Sequence, residues 1–464
     1  ATFTVTNLND SGAGSLRQAI ADAQSAAGPD VITFQPGLTG TITLTTGHLR
    51  VSDSVSIQGP GQAVVAVNAN HASRVFYLYS NFLLSTPSNI TISGLTLTGG
   101  LQLLGGCIFD SKHNLVLDHV TVDANTATSK GGGLFLEGHG NSLTIMNSVF
   151  SGNTAGNAGG AMLLYSSGQP ILIQDSVISG NQSTGGTGGG ISLYKPDADM
   201  TIERSTISGN TASGAGGGLF VYNPQTAGVA LRQSTISGNS ASQGGGAYFY
   251  NLSGPLVIEN STVSGNQVTG NGGGLFFYHG PPAGSGLHSS TIASNTAGGN
   301  GGGIYLYTGS LPLENTIVAG NTAGTDDDIS NGKGGNFVLD HDLVQDTGGA
   351  SFTDNGGNIF NQSPQLSALG NHGGPTQTML PAATSPVIDA GSATSPAVDQ
   401  RGVARPAGAG FDIGAVEVAP AQPIAQVPAL GDAGKLLLAG LMGAAGFLLL
   451  RRRSDPAAEP PSSP

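Results

Sequence analysis

Few carboxylates in the central part of the chain have a spacing that could cleave a glycosidic bond. Glu203, Glu259 and Glu314 recur at one position of a repeated segment but skip copies of it, and Asp175 lies elsewhere in the repeat. Glycoside hydrolysis needs two or three carboxylates that converge within about 5–9.5 Å. Because no column of paired acids is evident, the sequence predicts that the chain is not an enzyme. The alternative is a carbohydrate-active enzyme, either a polysaccharide lyase or a glycoside hydrolase.

Asp326, Asp327 and Asp328 form the one acidic run that could hold a metal ion, since Ca²⁺ prefers carboxylate oxygens. A solvated acidic turn explains the same run, so no cofactor is predicted and Ca²⁺ stays a weak candidate. The net charge is −13, and the basic residues are scattered until the far C-terminus. Nucleic-acid binding, which needs a basic stripe for phosphates, is therefore not expected.

Aromatic side chains recur at two outward positions after each glycine run. The fourth position after the run is tyrosine in six consecutive repeats, at Tyr165, Tyr194, Tyr222, Tyr250, Tyr278 and Tyr307. The neighbouring outward position includes Phe220, Tyr248, Phe276 and Tyr305. These ladders predict a surface that stacks sugar rings of a polysaccharide or docks a partner. The alternative is that the rings pack beneath the variable loops that follow them.

The repeated segment that must position these side chains is 26–29 residues long. Its most constant residue is an asparagine, at Asn125, Asn153, Asn181, Asn210, Asn239, Asn266, Asn295 and Asn321. A fixed period of this size indicates stacked supersecondary units. The segments alternate apolar and polar residues, are rich in β-branched residues and lack helical periodicity, so each repeat is read as three short strands.

This pattern predicts an all-β, single-stranded, right-handed parallel β-helix, with an N-terminal capping helix and a C-terminal apolar helix. Coils stacked about 4.8 Å apart would place like residues on like residues. We therefore expect the asparagines from Asn153 to Asn321 to form a structural ladder inside a turn. The capping helix is the amphipathic stretch 15–23, which has Leu16, Ala19, Ile20 and Ala23 on one face.

Three segments resemble those of exported bacterial β-helix proteins. Residues 14–20 (GSLRQAI), followed by Ile32-Thr33-Phe34, resemble the Cys-Ser-Leu-Arg-Glu-Ala (CSLREA) N-terminal segment, with Gly14 and Gln18 replacing its Cys and Glu. Phe150-x-x-Asn153 and residues 159–162 resemble the paired repeat motifs of polymorphic outer-membrane proteins. Residues 385–391, 399–402 and 412–417 resemble, in order, the C-terminal region called choice-of-anchor Q. Within it, Arg401, Asp399 and Asp412 are expected to form a structural ion-pair cluster.

The C-terminal tail contains a Pro/Ala linker, an uninterrupted apolar run at 436–450 and an arginine cluster. It resembles the bacterial Ile-Pro-Thr-Leu (IPTL) sorting signal through Val427, Pro428, Leu430, Arg451, Arg452 and Arg453. That resemblance implies recognition by an exosortase-like membrane enzyme. A permanent membrane anchor is the alternative, and arginines after the run would then place the β-helix outside the cell.

The predicted segments are an N-terminal strand and helix cap at 1–40, β-helix coils at 41–321, C-terminal coils and cap at 322–418, a linker with the sorting motif at 419–435, a transmembrane or sorting helix with its arginine cluster at 436–453, and a disordered tail at 454–464. The predicted protein is exported and lies at the cell surface or outside the cell. Its predicted role is non-catalytic, adhesin-like or structural. Its predicted partners are surface glycans or host or matrix components, the membrane through the C-terminal helix, and the sorting enzyme.

Overall fold

The computed structural model describes residues 1–79, 87–138, 142–165, 168–394 and 396–418. It is built from four parallel sheets, which we name A to D. The strands of sheet A are Thr2–Val5, Asp30–Phe34, Val55–Gln58, Ser88–Ser93, His113–Asp118, Leu143–Met146, Ile171–Gln174, Met200–Glu203, Val229–Arg232, Leu256–Glu259, Gly286–His288, Gly309–Glu314, Gly335–Asp340 and Phe352–Asp354. The strands of sheet B are Gly40–Thr43, Val65–Asn68, Thr96–Thr98, Thr121–Asp123, Val149–Ser151, Val177–Ser179, Thr206–Ser208, Thr235–Ser237, Thr262–Ser264, Thr291–Ala293, Ile317–Ala319, Leu343–Val344 and Ile359–Phe360.

Sheets C and D contribute the remaining strands of each coil. The strands of sheet C are Leu49–Val51, Phe76–Tyr79, Ile108–Ser111, Leu134–Glu137, Met162–Tyr165, Ile191–Tyr194, Leu219–Tyr222, Ala247–Tyr250, Leu275–Phe277, Ile304–Leu306 and Ile329–Asn331. The strands of sheet D are Leu101–Leu104, Thr126–Lys130, Thr154–Ala155, Gln182–Ser183, Thr211–Ala212, Ser240–Ala241, Gln267–Val268 and Thr296–Ala297. Each strand pairs with the equivalent strand of the next coil, so the predicted all-β parallel solenoid is confirmed.

Sheet D is a difference from the predicted three strands per repeat. The residues between each asparagine and the following glycine run form a short extra strand instead of a plain bend. After Asn210, for example, Thr211 pairs with Gln182 of the preceding coil and with Ser240 of the following coil. We call the stretch from sheet D to the glycine run the arm of the coil. The arm matters for function because it faces the outer surface of sheet C.

The core is the stack of inward side chains that the alternation predicts. In sheet C the first and third residues of the strands, such as Leu219 and Val221, are buried, and in sheet A the same holds for Met200 and Ile202. These side chains join one hydrophobic cluster that runs from Val5 to Val344. Burying an aliphatic side chain of this kind contributes about 1.5–3 kcal/mol, and the contribution repeats at every coil.

The repeated asparagines lie in single file at the turn between sheets B and D. Each donates its Nδ2 to the Oδ1 of the asparagine in the next coil at 2.8–3.0 Å, from Asn125 through Asn153 to Asn321. The row ends at Asp328, whose Oδ1 accepts from Asn321 Nδ2 and whose Oδ2 accepts from the backbone N–H of Asp346. The ladder therefore satisfies its buried amides from one coil to the next.

The helix Leu16–Ser25 lies against the first coils. Ser15 caps it by accepting a hydrogen bond from the backbone N–H of Gln18 at 3.2 Å. Leu16, Ala19 and Ile20 are buried and belong to the main hydrophobic cluster. The apolar face that the sequence predicts is therefore used in packing, while the role of the helix as a cap stays a prediction.

The C-terminal segment 362–418 packs on the outer face of sheet B. The hydroxyl of Thr262 donates to Gln400 Oε1 at 2.6 Å, and that of Thr235 donates to the carbonyl of Gln377. Within the segment, Arg401 pairs with Asp399 at 2.8 Å. Asp412 does not join that pair: it accepts backbone N–H groups of Asp389 and Val418.

A second, fully buried ion pair joins Arg405 and Glu417 at 3.1 Å. No helix among the described residues has the length and apolar character needed to cross a bilayer. The predicted sorting motif, apolar helix and arginine cluster lie outside the described residues.

Candidate functional site

A continuous column of titratable side chains runs along the outer edge of sheet A. The backbone register aligns the last residue of successive strands, which are Glu203, Arg232, Glu259, His288, Glu314 and Asp340. We name these six residues the acid–base column. All six side chains are partly exposed. The glutamates skip coils, as the sequence indicates, and Arg232 and His288 occupy the skipped coils, which makes the column of titratable side chains continuous.

The centre of the column pairs bases with acids. His288 Nδ1 lies 3.3 Å from Glu314 Oε2, and Arg232 Nε lies 3.8 Å from Glu259 Oε1. Gly286 lies beside the imidazole: a Cβ there would lie 2.8 Å from the carbonyl oxygen of Pro312 and 3.3 Å from His288 Nε2. His288 thus has carboxylates in the coils on both sides, each about 4.8 Å away along the axis.

The two ends of the column differ. At one end Arg204 bonds both Glu203, at 2.6 Å, and Asp175, at 2.8 Å. The hydrogen bond from Arg204 lowers the pKa of the Asp175 carboxyl, so this end is a closed ion-pair group. At the other end Asp340 is bonded to His341 at 2.6 Å.

The C-terminal segment borders the column beside Glu314. The hydroxyl of Ser392 lies 3.5 Å from Glu314 Oε1, and the hydroxyl of Thr394 donates to the same oxygen. Asn315, the residue after Glu314, exchanges hydrogen bonds with Ser392. Glu314 is thereby held in position while its second oxygen faces His288.

This arrangement has the parts of an acid–base site. An imidazole held by a carboxylate can take up a proton and later release it, because the carboxylate stabilises the imidazolium. Glu259 and Glu314 are two coils apart, about 10 Å along the axis, close to the carboxylate separation of inverting glycosidases. Glu314 and Asp340 are one coil apart, close to the separation of retaining enzymes.

The tyrosine column occupies the end of the outer face of sheet C. Its six rings, Tyr165 to Tyr307, are half-buried and stack on one another with centroids 4.4–5.6 Å apart. Because the faces of neighbouring rings cover each other, the column presents ring edges and hydroxyl groups outward. Burial is the largest of the effects that raise the pKa of the Tyr194 hydroxyl. A sugar can stack on a ring face only where the column ends.

We name the second aromatic row on the outer face of sheet C, formed by Phe220, Tyr248, Phe276 and Tyr305, the inner aromatic column. The sequence predicts that these side chains are exposed, but the structure buries them. Phe220, Tyr248, Phe276 and Tyr305 are only 4–8% exposed. The arm of each coil folds back over them: a Cβ on Gly216, which has φ +71°, would lie 2.8 Å from Phe220 Cβ. Burial also raises the pKa of Tyr248 to about 12. These four side chains support the tyrosine column from beneath and do not offer a ligand-binding surface.

The acidic run Asp326 to Asp328 is used for hydrogen bonding within the chain. Asp326 accepts from Ser330 and from the N–H of Gly349, Asp327 accepts from the N–H of Ala323, and Asp328 ends the asparagine ladder. The three carboxylates do not converge. Among the described residues, no group of three or more His, Cys, Asp and Glu side chains is arranged to hold a metal ion.

The signal that would have revealed the column is positional. Each member lies two residues before a buried serine, threonine or aspartate that directly precedes a strand of sheet B, as Arg232 does before Ser234 and His288 before Ser290. Searching that position for every titratable type, instead of for acids alone, gives all six residues.

The chain belongs to the right-handed β-helix family. Two overlapping matches to the family model for a right-handed β-helix region cover residues 48–207 and 88–285, together just over half of the chain. No curated protein matches the sequence. The resemblances of the N-terminal segment, of residues 385–417 and of the tail to named exported families stay predictions.

Solved structures with a similar fold act on polysaccharides. Pectate lyase Pel9A is 15% identical with a TM-score of 0.41, over 90% of this chain and 97% of that one. The A-module of the Azotobacter vinelandii mannuronan C-5 epimerase AlgE6 is 12% identical with a TM-score of 0.41, over 78% and 100%. A mannuronic acid specific family 6 lyase from human gut microbiota is 12% identical with a TM-score of 0.35, over 73% and 86%.

These comparisons contradict the prediction that the chain is not an enzyme, since the matched structures are lyases and an epimerase. They give no support to a non-catalytic adhesin role. At 12–15% identity the similarity shows a common fold and assigns no reaction or substrate. The reaction has to be argued from the residues of this chain.

Proposed function

We propose that the chain is a carbohydrate-active enzyme that cleaves a polysaccharide by acid–base chemistry at the Glu259–Asp340 part of the acid–base column. The observation that carries the proposal is the His288–Glu314 couple, 3.3 Å apart, with Glu259 and Asp340 in the coils on either side. These four groups share one exposed edge and one register position.

The geometry of the column suits a linear polymer. A polysaccharide lying along the solenoid axis would meet one new side chain of the column about every 4.8 Å. That advance is close to the length of one sugar ring in an extended chain. Successive rings would therefore face equivalent positions, and the ring at the scissile bond would face His288.

In this proposal Glu314 orients the imidazole of His288 through Nδ1. Hydrolysis would add one water across the glycosidic bond, with one group taking the water proton and a second giving a proton to the leaving oxygen. Elimination would instead remove the proton next to a uronate carboxylate and protonate the leaving oxygen. Both reactions produce a new reducing end, but only elimination leaves an unsaturated sugar.

The tyrosine column is proposed as a second contact surface for glycan. Its hydroxyl groups form a row with one member per coil, which can donate hydrogen bonds to sugar hydroxyls and accept from them. Tyr222, Tyr250 and Tyr278 are central members whose substitution by Phe would remove the hydroxyls and keep the stacked rings.

The experiment compares the full chain with two variants on a panel of neutral and uronate-containing polysaccharides. New reducing ends and the ultraviolet absorbance of unsaturated sugar are measured together, so that hydrolysis and elimination are told apart. Glu314→Gln is expected to lower the rate about 100-fold or more, whereas the matched control Glu203→Gln, in the closed ion-pair group, keeps most of it. No new reducing ends from any polysaccharide would contradict the proposal.

Export and surface display also belong to the proposal. The resemblance of the tail to sorting signals suggests that the enzyme is held at the cell surface, where it meets polysaccharide. Cell fractionation and mass spectrometry of the mature C-terminus test this. An unprocessed chain found only in the cytoplasm would contradict it.

A further inference from the structure

The inner aromatic column is interrupted in the coils of Tyr165 and Tyr194. On one side it consists of Phe109 and Phe135, and on the other it resumes at Phe220. Between them the register places Leu163 and then Ser192, both smaller than the rings on either side. Ser192 is fully buried, and its Oγ has no hydrogen-bond partner among the described residues.

A pocket of about 200 Å³ lies at this interruption, which we name the notch. Its walls are the arms of three successive coils on one side and the outer face of sheet C on the other. The lining residues are Lys130, Asn157, Ala158, Leu163, Tyr165, Thr187 and Tyr194. Pockets for drug-sized ligands have volumes of about 300–1,000 Å³, so the notch is large enough for one ring and not for an oligosaccharide.

The lining combines an apolar floor with polar groups at the rim. Leu163 and Ala158 are buried and form the floor. Thr187, Asn157 and the two tyrosines supply hydroxyl and amide groups. Lys130 is the only charged residue of the lining, and no acidic side chain in the described part of the chain lies within ion-pair distance of it.

The tyrosine column begins at the notch. The residue aligned with Tyr165 in the preceding coil is Glu137, so among the described residues no further ring of the tyrosine column covers that face of Tyr165. The Tyr165–Tyr194 centroid distance, 5.6 Å, is the widest in the column, against 4.4 Å for Tyr194–Tyr222. The notch therefore offers both a ring face and the widest gap between rings.

We infer that the notch binds one anionic sugar residue of a polysaccharide, with its carboxylate on Lys130 and its ring against Tyr165. A cation, hydroxyl groups and an aromatic face around a small pocket match a uronate ring, whose charged substituent and apolar ring face need separate partners. The inference goes beyond the proposed function, because the notch lies on sheet C, away from the acid–base column, and holds substrate whether or not the column cleaves it.

The test measures binding of uronate and neutral oligosaccharides of equal length by calorimetry. It uses the full chain carrying Glu314→Gln, so that the ligands are not consumed. Lys130→Met is expected to weaken uronate binding about tenfold or more and to leave neutral oligosaccharide binding unchanged. The matched control is Lys333→Met, because Lys333 is exposed and outside the notch.

A second variant, Leu163→Phe, enlarges a lining residue of the notch to the residue type of the preceding coil, Phe135. The bend glycine beside Leu163 is Gly159, and the equivalent Gly131 already covers the larger Phe135. This variant should fold normally and lose uronate binding as well. Uronate affinity that is unchanged in both variants, or equal affinity for uronate and neutral ligands, would overturn the inference. Loss of cleavage with intact notch binding would count against the proposed function alone.

Discussion

Three imidazole–carboxylate pairs occur at the edge of sheet A, and two of them predict different effects on activity. His288 is held by Glu314 between carboxylates of both neighbouring coils, whereas His119 bonds Asp118 at 2.8 Å near the other end of the sheet. We expect His288→Asn to lower the rate of polysaccharide cleavage about 100- to 10,000-fold, the range for loss of a general acid–base group. His119→Asn, the matched control, should keep nearly all of it. Initial rates of reducing-end formation check both, and equal losses would remove His288 from the site.

Asp328 makes the stability of the coil stack depend on pH. Burial raises the pKa of its carboxyl from 3.8 to about 6, although hydrogen bonds from Asn321 act in the opposite direction. A raised pKa means that the folded chain binds this proton more tightly than the unfolded chain. The associated stability is therefore fully present below pH 4 and is lost as pH rises through about 6, by about 3 kcal/mol at neutral pH.

We therefore expect the free energy of unfolding in urea to be higher at pH 5 than at pH 7. Asp412 adds to the effect, because burial also raises its pKa to about 6. Asp328→Asn keeps the acceptor for Asn321 and removes the titration, so it should flatten this dependence. Asp123→Asn, a partly exposed carboxylate that bonds Ser151, should not. A slope unchanged by Asp328→Asn would show that another group is responsible.

At the scale of single residues, the sequence predicts the stacked positions better than it predicts their surroundings. Asn210 and its equivalents could be placed in a ladder because identical residues recur at a constant spacing in the same turn. The polar neighbours of Glu314 could not, because Ser392 and Thr394 come from a distant segment. The type of a residue is visible in the sequence, whereas the tertiary contacts that set its chemistry are not.

The turn between sheets B and D depends on the direction of each hydrogen bond in its ladder. Asn239 Oδ1 accepts from Asn210, while Asn239 Nδ2 donates to Asn266 Oδ1 and to the carbonyl of Ile207. Asn239→Asp would place a carboxylate oxygen against those two acceptors in a buried site. We expect it to destabilise the fold by about 3–5 kcal/mol, since the new carboxylate oxygen would face two buried acceptors and no donor.

Asn147→Asp is the control, because the Asn147 side chain is exposed and its partner Asp118 is partly exposed, so solvent screens the added repulsion. Thermal unfolding followed by circular dichroism measures both variants. The natural aspartate at the end of the same row, Asp328, is tolerated because its second oxygen meets the N–H of Asp346. Equal melting temperatures for Asn239→Asp and Asn147→Asp would mean that the ladder does not stabilise the turn.

Sheet C illustrates where prediction of an element fails. Alternation correctly separates Val221, which points inward, from Phe220, which points outward. It does not show that the arm returns over Phe220, because that return depends on a left-handed glycine at the bend. A side chain directed away from the core can therefore be buried all the same, and here this difference decides which aromatic column can reach a ligand.

The whole molecule is organised by coils that repeat and by one segment that does not. The C-terminal segment crosses several coils, for example through Gln400, which bonds Thr262 and Thr235 in adjacent coils. These partners are 138 and 165 residues from Gln400 in the sequence, so no local pattern predicts the contacts. The repeated part of the fold could be predicted from periodicity, but the packing of this segment could not.

Because the coils are equivalent, removal of one complete coil should be tolerated. Deleting residues 211–239 joins Asn210 to Ser240, and the retained Ser205-Thr206-Ile207-Ser208-Gly209-Asn210 is identical to the removed Ser234–Asn239 segment. Thr206 would then take the place of Thr235 opposite Gln400. We expect a folded, cooperative chain with a β-sheet circular dichroism spectrum, since the stability of a solenoid is a sum over coils and their interfaces.

Deleting residues 211–224 instead removes about half a coil and serves as the contrast. It would bring the chain from the asparagine turn directly to the loop before Val229, so that arms, glycine bends and inward columns no longer align with the next coil. The pairing register of a parallel strand determines which of its side chains point inward. A partial coil cannot pair in register with both the preceding and the following coil. Soluble expression and thermal unfolding should therefore separate the two deletions sharply. If both fold equally well, the register between coils is not what holds this molecule together.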